Sequence, residues 1–111
     1  MTVTVKVLIP AKTAESSQTT QYTASGVTTI IDKFTATNYS ASSATISVNL
    51  VTGGDTAGNS NLITKTKTLQ PSEVYTFPEL VGQVLMPSGF ISTIAGTASA
   101  INIRSSGREV S

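Results

Sequence analysis

Residues 44–51 read ATISVNLV. Ile46, Val48 and Leu50 fall on one parity, and Thr45, Ser47 and Asn49 on the other. A period of two belongs to an extended strand, whose successive side chains point to opposite faces. The octapeptide is therefore read as a strand with Ile46, Val48 and Leu50 turned to a core and Thr45, Ser47 and Asn49 turned outward. The preceding extended stretch, 27–38, is separated from it only by the polar residues 38–43, so the two are expected to pair as a hairpin.

The same alternation recurs in both directions. In residues 2–9, Val3, Val5, Val7 and Ile9 share a face, and Pro10, which cannot donate to a ladder, is expected to end that strand. A loop over 11–17 leads to a strand over 18–23, whose one large apolar group is Tyr22. In 27–38, Ile30, Phe34 and Ala36 share a parity with Asp32, and a charge on the core parity predicts either a bulge or an exposed strand end. Residues 52–60, TGGDTAGNS, hold three glycines and read as a flexible loop. In 62–69, Lys65 and Lys67 share a face with Ile63 and Leu69, as in an edge strand where lysine discourages further pairing. Pro71 at the second position of 70–73 marks a turn. A strand follows over 74–77, then a single helical turn over 78–85 with Leu80, Val81, Val84 and Leu85 inward. Further strands are expected over 90–95 and 98–105, with Gly107 opening a short tail. About eight strands at roughly ten-residue spacing predict one antiparallel β-sandwich over 1–111, jelly-roll or immunoglobulin-like, with residues 1–10 as an arm or edge strand.

Composition narrows the function classes. Of 111 residues, 15 are Ser and 19 Thr, so much of the outer surface carries small hydroxyls. Only 12% are charged, with a net charge of +1, and the seven Lys and Arg are scattered from Lys6 to Arg108. A nucleic-acid binder needs a concentrated basic face to displace counterions, so none is expected as a partner. No segment approaches the roughly 20 apolar residues of a membrane span. The amino-terminal segment lacks the apolar run of a cleaved signal, which predicts synthesis in a cytoplasm and no export by such a signal. Sparse charge suits either a surface that desolvates against another protein or one kept soluble by threonine alone.

The residues that carry most chemistry are missing or dispersed. With no His and no Cys, neither a Ser-His-Asp triad nor a thiolate or imidazole zinc site can form. The six acids, Glu15, Asp32, Asp55, Glu73, Glu79 and Glu109, stand apart in sequence, so no acid–base pair, metal or cofactor is expected and the chain is read as no enzyme. Asp55 in the glycine-rich loop is one carboxylate where calcium wants several. Asn38-Tyr39-Ser40 fits the glycosylation pattern, which is frequent by chance in a chain so rich in Ser and Thr. Tyr22, Tyr39 and Tyr75 are the residues on which a sugar or peptide groove would have to be built.

Two stretches carry a family resemblance: 30–51, with Lys33, Phe34, Asn38 and Ser40 leading to Thr45, Ser47, Val48 and Leu50; and 68–110, with Leu69, Pro71, Glu73, Tyr75 and Phe77, then Val84, Leu85, Gly89 and Ile91, the Ala98-Ser99-Ala100 step, and Ser106-Gly107. Together they cover about two thirds of the chain and resemble small all-β structural proteins of tailed bacteriophages. The resemblance implies a virion subunit, foremost a capsid decoration or cement protein on the major capsid protein, self-associating, with a trimer at threefold points as one form. A tail or head–tail accessory subunit is the alternative within that class. A fibre module binding a receptor or glycan through Tyr39 and the 52–60 loop is an alternative outside it. The expected contact residues are Val3, Val5, Val7 and Ile9, which can augment a neighbour's sheet, and the hydroxyl-bearing row Thr45, Ser47 and Asn49.

Overall fold

A computed structural model describes residues 1–111 and is all-β apart from one 3-10 turn, Asn59–Asn61. The strands are β1 (Val3–Thr13), β2 (Thr19–Thr23), β3 (Thr28–Asn38), β4 (Ala44–Val51), β5 (Leu62–Leu69), β6 (Val74–Tyr75), β7 (Val84–Leu85), β8 (Phe90–Ala95) and β9 (Ile101–Val110). One sheet has the order β1-β9-β3-β6, with β7 also on β3; the other has β2-β8-β4-β5. The antiparallel pairs are nested: β4 with β5, β3 with β6 and β7, β2 with β8, β1 with β9. A long hairpin rolled into two sheets pairs in this way. Because β6 and β7 lie along opposite ends of β3, they count as one interrupted strand, and the result is an eight-stranded jelly roll. No helix is long and apolar enough to cross a membrane.

The two inner faces meet in one core. Phe34, Phe77, Ile9, Ile31, Ile46, Leu69, Leu80, Ile91, Ile101 and Ile103 are fully buried. The Phe34 and Phe77 rings pack edge to face, their centroids 4.8 Å apart, the geometry favoured by the ring quadrupoles.

β3 and β4 are not a hairpin: they lie in opposite sheets, and β4 pairs with β5 and β8 instead. Asn38 directs the crossing. Its buried side chain donates from Nδ2 to the carbonyls of Ser42 at 2.8 Å and Leu69 at 2.9 Å. Its Oδ1 accepts from the Ser40 amide at 2.9 Å and hydroxyl at 2.7 Å. An Asn that satisfies backbone groups locally offers the chain a route other than a tight hairpin.

Pro10 does not end β1, which continues to Thr13. The register against β9 slips between Val7 and Ile9 and again between Ile9 and Lys12. Pro10 lies in the second slip, on an edge strand, where its missing N–H costs no ladder bond. Gly107 opens no tail either. It sits within β9 between Lys6 and Ile31, and a Cβ there would stand 2.1 Å from the carbonyl oxygen of Ile30. β9 is thus one continuous strand between β1 and β3.

Residues 78–83 form turns and no helix; Leu80 and Leu85 reach the core, whereas Val81 and Val84 face outward. The charge on the core parity of β3 is resolved as a bulge, with the register slipping between Ile31 and Lys33 so that Asp32 turns out while Ile31 and Phe34 both turn in. β5 is an edge strand, as its lysines predict, and it too is bulged. Thr66 sits at φ 44° and donates its N–H to the Ser47 hydroxyl at 2.8 Å.

Candidate interaction surface

β1 is an edge strand, and its amino-terminal half is bare. Val3, Val5 and Val7 are 53%, 81% and 42% exposed, and Thr4 and Lys6 between them are exposed as well. This half is held to the fold only through β9. Thr2 and Ser111 exchange both backbone hydrogen bonds at 2.9 Å, and the register then runs unbroken from Val3–Val110 to Val7–Ser106. Directly opposed antiparallel residues alternate between bonded and non-bonded pairs. Thr2, Thr4 and Lys6 therefore bond to β9, and the N–H and C=O groups of Val3, Val5 and Val7 point to the open side.

The same valines lie on the outer face of their sheet. Cross-strand pairing places Val5, Arg108, Ile30 and Val84 in one row and Val3, Val110 and Thr28 in the next. Arg108 crosses this apolar patch with its guanidinium on Asp32 at 2.9 Å, an ion pair that holds the Asp32 carboxyl below and the Arg108 guanidinium above their ordinary values. The other half of the face is polar: Thr35 pairs with Arg104, and Thr37 with Asn102.

Ile9 does not share the valine row. The slip at Leu8 reverses the parity, and both Leu8 and Ile9 are buried in the core. Ser47 and Asn49 are not an open hydroxyl row either, being 7% and 2% exposed, while Thr45 is half-buried. Asn49 Nδ2 donates to the Gly58 carbonyl at 3.0 Å and to Asn61 Oδ1 at 2.7 Å, so the 52–61 segment folds back over this face. Gln18 reaches the same place, donating to Asn49 Oδ1 at 3.3 Å and to the Ser92 hydroxyl at 2.7 Å. The polar parity of β4 thus anchors a loop.

Tyr39 precedes β4 and the 52–60 loop follows it, so they lie at opposite ends of an eight-residue strand about 26 Å long. They form no common tip. The remaining tyrosines are engaged internally. Tyr22 is buried and its hydroxyl contacts Thr29 and the Glu109 carboxylate; burial, then the Glu109 hydrogen bond, pushes it up to about 12. Tyr75 donates to Glu79 Oε1 at 2.7 Å, and that bond, with burial, also raises it to about 12. Lys67 lies 4.8 Å over its ring. Burial pushes the Glu79 carboxyl up, but the hydroxyls of Thr64 and Tyr75 and the Lys67 charge outweigh it, and the net shift is downward. Glu79 so ties the 76–83 turns to β5. Asn38, the acceptor of the sequence pattern for glycosylation, is fully buried with its amide donating to two carbonyls.

No three of the carboxylates gather where they could hold a metal. A shallow cleft of about 120 Å³ lies between Val51, Gly53, Leu85, Met86 and Gly89, with no ionisable side chain in its lining. The chain matches no protein-family model, no curated protein and no solved structure.

Proposed function

We propose that this chain is a structural subunit of a tailed-bacteriophage particle, a decoration or cement protein that stabilises the head by docking on the major capsid protein. The observation that carries the reading is the bare amino-terminal half of β1, where an exposed valine row coincides with unpaired main-chain groups. Main-chain addition at a sheet edge gives affinity, and side chains on alternate positions give selectivity. A surface with so few charges loses little hydration when covered. Copies repeated over a symmetric shell add their weak contacts through avidity. The virion setting comes from the sequence resemblance. Jelly rolls recur in capsid proteins, but the fold alone assigns no function.

Mass spectrometry of purified particles, with copy number, tests this. Copies that track the major capsid subunit, together with saturable binding to expanded shells, are the expected result. A single ring of copies at the tail, or no copies in the particle, overturns the decoration role. Val5→Lys is expected to abolish shell binding while leaving the thermal unfolding of the isolated chain unchanged.

A further inference from the structure

Sheet edges attract other strands unless they are blunted by charge, proline, bulges or short length. Three of the four edges here are blunted. β2 is five residues long, β6 and β7 are two each, and β5 carries Lys65, Lys67 and a bulge. β1 is protected only in its second half, where Pro10 and two register slips fall. From Val3 to Val7 the strand is regular, exposed on both faces, and carries a single charge, Lys6, which Glu109 neutralises at 3.4 Å.

That segment matches itself. Run antiparallel to a second copy with Val5 opposite Val5, it sets Val3 against Val7 and Thr4 against Lys6. All three valines then fall at bonded positions and offer six N–H···O=C bonds, and no like charges are opposed. Shifting the centre to Lys6 puts the two ammonium groups face to face, which is destabilising. Shifting it to Thr4 sets Val7 against the chain-terminal Met1 in place of a valine of the strand. In the Val5-centred register the row Val5, Arg108, Ile30 and Val84 continues into the same row of the second chain, so the two Val5 side chains meet at its centre with an Arg108–Asp32 ion pair on either side.

We propose that this protein forms a symmetric dimer in which β1 pairs with β1 of a second copy across Val5, joining the two sheets into one. The proposal rests on the reading of the β1 edge as a docking strand; one edge holds one partner at a time, so the second copy occupies it in the free protein and is exchanged for the capsid protein on the particle. An isologous interface of this kind is the commonest form of closed self-association. The register slip after Val7 limits the pairing to this segment, which stops the strand from templating longer assemblies.

The test is sedimentation equilibrium of the purified chain over a concentration series. The expected result is a monomer–dimer equilibrium that Val5→Pro weakens by about tenfold or more, since two central hydrogen bonds are lost. The Val5 N–H takes no part in the β9 ladder, so at concentrations where both proteins are monomeric this variant keeps the wild-type unfolding transition. Register is read with single cysteines in a chain that has none of its own. Oxidised Val5→Cys should give a covalent dimer, because bonded pairs sit about 5.5 Å apart at Cα, within disulfide reach. Lys6→Cys should not cross-link. A monomer at all concentrations, a trimer, or cross-linking of Lys6→Cys as efficient as that of Val5→Cys overturns the proposal. A monomer that still coats expanded shells through β1 would leave the decoration role standing. A dimer absent from particles would do the reverse.

Discussion

Asn38→Ala should cost about 3 kcal/mol of stability, because the side chain satisfies the backbone where the chain leaves one sheet for the other. Four hydrogen bonds disappear with it. The bond to the Leu69 carbonyl is fully buried, and orphaning that acceptor costs about 1–3 kcal/mol. The bonds involving Ser40 and Ser42 lie closer to solvent, where water replaces them in part, and each contributes about 0.5 kcal/mol. Equilibrium unfolding in urea reads the sum. With a slope of about 1.5 kcal/mol per molar for a domain of this size, the midpoint should fall by about 2 M at unchanged slope. Ser40→Ala, which removes one hydroxyl and leaves both Nδ2 bonds, should move it by less than a third as much. Asn38→Asp keeps the Oδ1 acceptor but turns a carboxylate toward the Leu69 carbonyl. It should be destabilised at neutral pH and recover in part as acid protonates the group. An Asn38→Ala midpoint indistinguishable from wild type, or equal losses from Asn38→Ala and Ser40→Ala, would refute the role given to this side chain.

Gly107→Ala drives a methyl group into the Ile30 carbonyl and should destabilise by about 1–3 kcal/mol; thermal unfolding checks it, and an unchanged midpoint would mean that β3 and β9 are not so closely spaced. The Tyr22 and Tyr75 phenols, raised from 10.0 to about 12, bind their protons more tightly when folded. The stability they contribute is complete below pH 10 and is lost as pH rises toward 12, so phenolate absorbance should show two tyrosines ionising near pH 12 while the fold persists, and near pH 10 once it is unfolded. Glu79 titrates below its ordinary 4.5. Its contribution is complete above that value and is lost as pH falls through the lower folded one, so Glu79→Gln should flatten the acid limb of a stability–pH profile.

Strand positions were legible in the sequence because alternation marks a strand wherever one face is buried. The clearest stretch, Ala44–Val51, is a strand with the expected bounds. The lysine-marked edge at β5 was also legible, and for Asp32 a charge on an apolar parity narrowed the choice to a bulge or an exposed strand end, of which the register slip after Ile31 is the first. Pairing was not. Alternation says which residues face inward but not which sheet they face from, and the choice between a hairpin and a crossing lay in hydrogen bonds of Asn38 to residues as distant as Leu69. The candidate surface divided on the same line. Val3, Val5 and Val7 share a face as their spacing predicts, but Ile9 leaves it because a bulge without Gly or charge gives no signal at Leu8. The outward parity of β4 was correct and its exposure was not, because the segment that covers Asn49 begins only after the strand ends.

The nested order of the pairs has a consequence for biosynthesis. β4 and β5 can zip together as soon as both exist, and each further pair closes around the last. β1 is made before its only partner, β9, which follows the other eight strands in the chain, and contacts so distant in sequence form slowly. Until β9 is made the valine segment is an unpaired strand, so the edge proposed for docking is also the part most exposed to a wrong contact before folding ends.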